Sequence, residues 1–290
     1  RTSFKMYTEF SDLQQNLDYT YDRLNRVTNI KESGLTIASY TYDKNSNLLT
    51  ENNVALNTAY TYNIGNFVTS KITSNSAGTV LQTDNYTYKS DGNVSTENDK
   101  TYTYDLQNRL SGVIQTNQSN KNYAFDAFGN RQGITQGYFT ANYTYDKNNR
   151  ILSMTDGLTK SNYSYDDRGN LYLKTVAVTA DTSNSKLTAE AISISDTDSQ
   201  MFEFDGFNRM TGMETGGISA EYEYDYSGLR TSKTVNGEKT DFVLDGIYVI
   251  AEINADGDVT NYIRGLTGII YRETPDNVKT YYVTNNHGDV

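Results

Sequence analysis

The sequence predicts an all-β protein made of tandem antiparallel β-hairpins, and three observations support this prediction. A pair of aromatic residues separated by one residue recurs about every 20 positions, Tyr occurs 26 times in 290 residues, and Pro occurs once. Aromatic residues favour a pleated, half-buried surface, whereas Asp, Asn and Gly favour the turns that join strands. Because an open twisted sheet rarely exceeds about ten strands, we expect a curved spiral strip or part of a hollow β-shell.

The aromatic pairs define the repeat and its period. Ten pairs begin at spacings of 21, 20, 26, 16, 21, 20, 20, 39 and 20 residues, and the spacing of 39 spans two periods with a degenerate repeat near residues 183–191. We expect the spacing of 26 to contain a longer loop around Ser74–Gly78. Both rings of a pair point to one face of a strand because side chains alternate along it, so we predict that they form the structural core. The predicted core aromatics are Tyr19, Tyr21, Tyr40, Tyr42, Tyr60, Tyr62, Tyr86, Tyr88, Tyr102, Tyr104, Tyr123, Phe125, Tyr143, Tyr145, Tyr163, Tyr165, Phe202, Phe204, Tyr222 and Tyr224.

An Asp follows most of the pairs and is predicted to open a turn. Its carboxylate can accept backbone N–H groups two residues further on. Asn or Gly stands three positions after it, as at Asn25 and Gly129, where we expect positive φ. An apolar residue such as Val27 then starts the returning strand of about 5–7 residues, and a second turn containing Gly34 or Gly112 closes the repeat. The predicted turn residues are Asp22, Asp43, Asp105, Asp126, Asp146, Asp166, Asp205 and Asp225.

The repeat register divides the chain into three parts. Residues 1–18 are interpreted as a lead-in, and residues 19–241 as an array of about eleven repeats. Residues 242–290 are interpreted as terminal repeats, continuous with the array, because the register persists at Phe242, Tyr262 and Tyr282. The chain begins at Arg1 without an initiator Met, so we expect it to be a piece of something longer.

Composition argues against several classes of partner. The formal net charge of −11 opposes binding to nucleic acid or to an anionic membrane surface. No stretch approaches the length of about 18 apolar residues that a membrane span needs, so we expect no membrane insertion. The absence of Cys excludes disulfides, thiol nucleophiles and cysteine-bound metal clusters.

We predict no catalytic residue, metal ligand or cofactor, and therefore no enzyme. His287 is the single His and stands in a turn-rich Asn-Asn-His-Gly-Asp segment without a partner base, so a turn role is the simpler interpretation. The repeat aspartates occur once per turn, which favours structure over acid–base catalysis. Asp256-Gly257-Asp258 lacks the ligand spacing of a calcium loop and is interpreted as a hairpin turn.

The Tyr-rich repeat leaves a binding role open as an alternative. Aromatic hairpins of about 20 residues also occur in choline-binding modules, and sugars stack on exposed rings. Those modules rely on Trp, which this chain lacks. Core packing is therefore the preferred interpretation, and a cell-wall carbohydrate-binding module that uses exposed tyrosines is the alternative.

The repeat resembles a known family in its turn residues as well as in its rings. The pattern Tyr-Thr-Tyr-Asp-x-x-Gly/Asn-Asn/Arg-Leu, as in Tyr19–Val27 and Tyr102–Leu110, is similar to the YD repeat, also called the RHS repeat. This repeat occurs in bacterial polymorphic toxins, wall-associated proteins, insecticidal toxin complexes and animal teneurins. The resemblance runs from Tyr19 to Val290, and Phe242–Glu252 resembles the stretch before the terminal core of such proteins.

The resemblance implies a structural role. In the family the repeats build a hollow β-shell that encloses a C-terminal segment, so the implied partner is the rest of the same polypeptide. It implies a fragment of the shell of a large secreted or cell-surface bacterial protein that encapsulates or presents a C-terminal toxin or effector. Members with toxic cargo usually carry an Asp-Pro-x-Gly self-cleavage core. The single Pro here, Pro275, stands in Thr274-Pro275-Asp276 and does not match it, so we expect the protease and the cargo to be missing.

Overall fold

The structure is a computed structural model that describes residues 2–7, 13–157, 159–178 and 199–285. These residues form 26 β-strands. The strands are β1 (Ser3–Tyr7), β2 (Leu13–Tyr21), β3 (Val27–Glu32), β4 (Leu35–Tyr42), β5 (Leu48–Asn53), β6 (Leu56–Tyr62), β7 (Val68–Asn75), β8 (Val80–Tyr88), β9 (Val94–Glu97), β10 (Lys100–Tyr104), β11 (Leu110–Gln115), β12 (Lys121–Phe125), β13 (Arg131–Gln136), β14 (Phe139–Tyr145), β15 (Ile151–Thr155), β16 (Thr159–Tyr165), β17 (Leu171–Val178), β18 (Gln200–Phe204), β19 (Met210–Thr215), β20 (Ile218–Tyr224), β21 (Arg230–Val235), β22 (Glu238–Asp245), β23 (Tyr248–Asn254), β24 (Val259–Arg264), β25 (Ile269–Glu273) and β26 (Lys279–Tyr281).

The strands pair with their neighbours along the chain, and the pairs are antiparallel, as in β2 with β3 and β14 with β15. This confirms the predicted all-β class of tandem antiparallel hairpins. Strand lengths run from three residues in β26 to nine in β2 and β8, a wider range than expected. The longer loop expected around Ser74–Gly78 is wrong, because long strands β7 and β8 take up the extra residues. The turn between them keeps the common five-residue form, with the Asn75 N–H donating to the Thr79 carbonyl at 2.9 Å.

The turn that follows each aromatic pair has a fixed geometry. In the first copy the Asp22 N–H donates to the Arg26 carbonyl at 2.9 Å, and the Asn25 N–H donates to the Asp22 carbonyl at 3.1 Å. Asn25 has φ +59°, and the strand is bulged just before the turn, between Thr20 and Tyr21. This is a hairpin loop built on a tight turn that ends in a left-handed residue. Positive φ is confirmed at the position three after Asp, at Asn25, Asn108, Gly129, Asn149, Gly169, Asn208 and Gly228.

The second turn of the repeat is shorter. Ser33-Gly34, Gly216-Gly217 and Asn236-Gly237 each place two residues at positive φ, as a two-residue hairpin loop requires. Gly112 is a correction to the sequence analysis, because it lies inside β11 and not in a turn. A Cβ at Gly112 would stand 2.7 Å from the Thr103 hydroxyl, so the glycine is explained by close packing across the strand pair.

The chain forms two compact units, residues Arg1–Asn98 with Val243–Val290, and residues Asp99–Phe242. In the first unit a buried cluster combines residues of β2, β3 and β4 with residues of β24 and β25. The cluster consists of Leu17, Ile30, Ile37, Ala38, Tyr40, Ile263, Ile270 and Tyr271. The terminal strands therefore supply part of the core over the N-terminal repeats. The division at residues 18/19 and 241/242 remains an interpretation of the repeat register, and residues 183–191 lie outside the described residues.

The second unit has a thinner core. Its buried residues are small, such as Ala141, Ser161, Ala220 and Ser232. None of the paired aromatics described in this unit is fully buried. Among the described residues of the whole chain, no helix has the length and apolarity that crossing a bilayer requires.

Ile30→Ala is expected to lower the free energy of unfolding by about 2–5 kcal/mol, because it opens a cavity in a packed core. Ile30 is 2% exposed in the first unit. Chemical denaturation measures the loss, and Ile72→Ala in the same unit is the matched control. Ile72 is 39% exposed, so its replacement should cost clearly less. Equal losses for the two variants would contradict the core placement of Ile30.

Candidate functional site

The Asp carboxylate holds its turn with three hydrogen bonds. In the turn after Tyr145, one Asp146 oxygen accepts the N–H groups of Asn148 at 2.8 Å and Arg150 at 2.9 Å. The other oxygen accepts from Arg150 Nε at 2.7 Å. The Arg150 N–H and then the guanidinium lower the pKa of the Asp146 carboxyl below its ordinary value of 3.8. The same directional shift applies to the other turn aspartates, Asp22, Asp43, Asp105, Asp126, Asp166, Asp205 and Asp225.

In most of the Asp turns the side chain four positions after the Asp contacts the next repeat. We call the Asp, this side chain and its contact with the next repeat the turn bridge. Where the residue is Arg, it donates to the backbone of the next turn, as from Arg26 Nη1 to the Asp43 carbonyl at 2.9 Å. Its guanidinium also lies over the second ring of the next pair, at 4.5 Å from the Tyr42 ring centre. Arg209 makes the equivalent bond to Asp225 at 2.9 Å.

Asn makes the same turn bridge with a shorter side chain. Asn130 Nδ2 donates to Asp126 at 2.9 Å and to Asn149 Oδ1 of the next turn at 2.9 Å. Asn170 repeats the pattern with Asp166 and Asn208. Arg and Asn are therefore interchangeable at this position because each has donors for its own carboxylate and for the next turn.

The second ring of each pair explains why Tyr dominates the repeat. Its hydroxyl donates to a backbone carbonyl at the start of the previous repeat's returning strand. The bonds run from Tyr42 to Val27 at 2.7 Å, Tyr62 to Leu48 at 2.8 Å, Tyr88 to Val68 at 2.6 Å, Tyr145 to Arg131 at 2.7 Å, Tyr165 to Ile151 at 2.9 Å and Tyr224 to Met210 at 2.7 Å. Phe125 and Phe204 occupy the same position without a hydroxyl. The ring thus links neighbouring repeats as well as packing between them.

The residue between the two rings points to the opposite sheet face, and where it is Thr it pairs with a hydroxyl on the returning strand. Thr20 and Thr28 are 3.0 Å apart between their oxygens, and Thr41 and Thr50 are 2.6 Å apart. Such cross-strand hydroxyl pairs stabilise antiparallel strands. The two faces of a repeat are therefore chemically distinct, one aromatic and one rich in hydroxyls.

The predicted aromatics all lie in the even-numbered strands from β2 to β20, on the sheet face that we call the ring face. Tyr40 and Tyr86 are buried, at 3% and 4% exposure, and Tyr21 is exposed, at 38%. The remaining rings of the set are half-buried. Tyr145 belongs to this half-buried group, so its ring is a packing surface between repeats and not an interior one.

The ring-face residue paired with the first ring of a repeat is charged in some repeats and apolar in others. In the first unit Tyr40, Tyr60 and Tyr86 face the charged residues Glu51, Lys71 and Glu97, whereas Tyr19 faces Ile30. In the second unit Tyr102, Tyr123, Tyr143 and Phe202 face the apolar residues Val113, Ile134, Met154 and Met213, whereas Tyr163 and Tyr222 face Lys174 and Lys233. Each partner stands eleven positions after the ring, so its chemistry is visible in the sequence once the register is known.

Terminal strands cover the charged part of the ring face in the first unit. The Tyr40 hydroxyl accepts from the Leu266 N–H at 3.4 Å, and the Thr267 hydroxyl donates to Glu51 at 2.5 Å. Burial raises the pKa of the Glu51 carboxyl and lowers the pKa of the Lys71 ammonium. The side chains are therefore drawn out of water, and chain contacts replace part of their hydration.

A second set of contacts fixes the terminal strands on β2 and β3. Tyr271 donates to Glu32 at 2.5 Å, and Lys279 Nζ lies 3.3 Å from the same carboxylate. Gln15 Nε2 donates to the Ile250 carbonyl at 3.0 Å. These bonds join residues more than two hundred positions apart, so they define how the last strands lie over the first repeats.

The described residues at the other candidate positions, which were considered for metal binding and catalysis, do not form such a site. Among the described residues no group of three or more His, Asp and Glu side chains is placed to hold a metal ion. Asp256 and Asp258 lie in a turn of the common form, in which Asn254 Oδ1 accepts both of their N–H groups at 3.1 and 2.8 Å. His287 lies outside the described residues.

The comparisons with known proteins agree with this geometry. Tandem hairpins joined by an Asp-led turn define a β-hairpin repeat protein. The Teneurin YD-shell family model matches residues 2–139. Over these residues the chain is similar to the YD-repeat, or RHS-repeat, family.

Two curated proteins share sequence with part of this chain. It is 42% identical over 74 residues to the tRNA3(Ser)-specific nuclease WapA of Bacillus spizizenii, covering 24% of this chain and 3% of that protein. It is 39% identical over 74 residues to the tRNA nuclease WapA of Bacillus subtilis strain 168, with the same coverage. The chain therefore spans only 3% of the length of these curated relatives.

Solved structures share the fold. A structure of the Photorhabdus luminescens Tc holotoxin pore matches 99% of this chain at TM-score 0.50 and 15% identity. A crystal structure of TcdB2-TccC3-Cdc42 matches 99% of this chain at TM-score 0.51 and 16% identity. In both cases the match covers 18% of the solved chain.

Tyr165→Phe is expected to lower the free energy of unfolding by about 0.5–1.5 kcal/mol, because it removes one hydrogen bond between repeats and keeps the ring. Denaturation curves measure the loss. Tyr163→Phe is the control, since this first ring of the same pair takes no part in the bond. A loss no larger than that of the control would mean that the Tyr165 hydroxyl does not link the repeats.

Asp146→Asn is expected to lower the thermal midpoint by a few degrees at neutral pH, with a difference that shrinks in acid. The folded pKa of Asp146 is lowered, so its contribution is complete above the ordinary value of 3.8 and is lost as the pH falls through the folded value. Thermal scans of both proteins from neutral pH to about pH 2 measure this. A difference that stays constant over the range would rule out the carboxylate as its source.

Proposed function

We propose that the chain is a section of the wall of a β-shell, and that this shell encloses or presents a C-terminal toxin or effector segment of the same polypeptide. The observation that carries the proposal is the position of the terminal strands in the first unit. The chain from Leu266 to Asn285 lies on the ring face of the N-terminal repeats and is bonded to Tyr40, Glu51 and Lys71. The ring face thus already holds a late segment of its own chain.

The role we infer for the chain is structural and not catalytic. The repeats share one turn geometry, and most of them add the turn bridge or the hydroxyl bond to a neighbouring repeat. The named activities of the WapA relatives belong to proteins of which this chain matches 3%. Any activity is therefore proposed to lie with an enclosed segment, and a secreted or cell-surface bacterial location follows from the same proposal.

The carbohydrate-binding alternative gains no support from the rings. Sugar stacking needs open ring faces, but several second rings are covered by the guanidinium of the previous turn bridge. Arg109 lies 4.6 Å from the Phe125 ring centre, and Arg150 lies 4.7 Å from that of Tyr165. The partner that we propose is therefore the rest of the polypeptide and not wall glycan.

A flexible segment with a site-specific protease sequence, attached after Val290, is expected to be cleaved about tenfold more slowly than the same segment attached before Arg1. The reason is that the C-terminal side of the chain is directed onto the ring face. Native time courses on gels measure the two rates, and the same fusions in denaturant provide the control in which the rates converge. Equal native rates would contradict enclosure.

A further inference from the structure

Lys71 is a buried cation whose ammonium group donates to a late segment of the chain. It lies in β7 on the ring face and is 6% exposed. Its Nζ donates to the Thr284 carbonyl at 2.5 Å, to the Asn285 carbonyl at 3.0 Å and to the Thr284 hydroxyl at 3.1 Å. An ammonium has three donors, so these contacts match its full capacity. The acceptors lie 213 and 214 positions further along the chain.

Two of the three acceptors are backbone carbonyls. A carbonyl is offered by every residue, so the contact recognises an extended main chain and makes little demand on its side chains. Residues 282–285 follow the last strand, β26, and lie outside the strands. Hydrogen bonds from Lys71 thus hold the main chain just beyond the last strand, where strand pairing has ended.

Carboxylates on the same face stabilise the buried charge. Lys71 is paired in register with Tyr60 on one side and with Asp84 on the other. Asp84 and Glu51 both favour the charged form of the ammonium, which partly offsets its burial. Glu51 also receives the Thr267 hydroxyl at 2.5 Å. A buried cation flanked by acids is a costly arrangement. In the second unit the equivalent position is Met in two repeats, and the lysines that occupy it in two others, Lys174 and Lys233, are only half-buried.

We propose that Lys71 is a main-chain clamp, which holds residues 284 and 285 on the ring face and fixes where the following polypeptide begins. The ligand class is an extended peptide segment that presents two successive carbonyls to one ammonium. This inference deepens the proposed function, because it names the residue that sets the start of an enclosed segment. It makes Lys71 a positioning residue, and burial distinguishes it from Lys174 and Lys233 at the same register position.

The test uses Lys71→Met in the 290-residue chain. Met154 and Met213 already occupy the equivalent position, so the repeat accepts this side chain. Timed digestion with a carboxypeptidase, followed by mass spectrometry, is expected to pause near Asn285 in the wild type. Lys71→Met should allow digestion to pass into residues 282–285 about tenfold faster. Lys44→Met, which changes an exposed turn lysine, should digest like the wild type.

A second measurement separates the clamp from general loss of stability. The chain has no Cys, so Asn285→Cys provides a single thiol whose native alkylation rate reports on this segment. Lys71→Met should raise that rate about tenfold, and Lys71→Arg should raise it less because Arg keeps donors and charge. Both variants are compared at matched unfolding midpoints. If Lys71→Met lowers the midpoint, Lys71→Gln takes its place with the same expectation.

The outcomes distinguish the clamp from the shell. Unchanged digestion and unchanged alkylation in a folded Lys71→Met protein would overturn the clamp. The slow cleavage of a segment attached after Val290 would then still support enclosure. Rapid cleavage of that segment in the wild type, together with normal protection at residue 285, would support the clamp and overturn enclosure.

Discussion

The structure depends on a recurring interaction, in which the carboxylate of an Asp closes a five-residue turn. Its two oxygens accept backbone N–H groups and the side chain four positions on, as Asp22 does with Leu24 and Arg26 at 2.7–3.0 Å. Because the side chain that is held by the carboxylate also contacts the next turn, the same group that shapes one hairpin aligns the following one. Single hairpins are marginal in water, and this coupling joins them into an array in which each repeat depends on its neighbours.

The two units build the ring face from the same repeat but cover it differently. In the second unit the paired rings remain half-buried, and so do Lys174 and Lys233, which pair with Tyr163 and Tyr222. In the first unit a late stretch of chain contacts Tyr40 and Lys71, and both of these side chains are buried. A buried charge is expensive unless it has partners, so a buried charge on this face is informative. It marks where another segment of the chain lies.

Much of this was predictable from the sequence, and the limits have physical causes. The period, the hairpins and the positive φ at Asn25 or Gly129 follow from local chemistry, since few residues tolerate that backbone conformation. Gly112 was misread as a turn residue because a glycine required by cross-strand packing looks the same in a sequence. The long hairpin of β7 and β8 was misread as a loop because strand length is set by pairing and not by spacing. The contact from Lys71 to Thr284 spans 213 positions, and no local pattern predicts it.

The strands differ in length at the ends that lie away from the turns following the aromatic pairs, whereas the ends next to those turns are constant. Neighbouring strands β8 and β9 have nine and four residues, yet the turn that joins them keeps the common form, with the Lys89 N–H donating to the Asn93 carbonyl at 2.8 Å. Variation is therefore confined to the ends away from those turns. The strand ends away from these turns can therefore be lengthened or shortened locally in evolution, while the turns that connect neighbouring repeats stay unchanged. Gene changes that add or remove residue pairs near the short loops should consequently be tolerated, whereas those that fall within the five-residue turns should not.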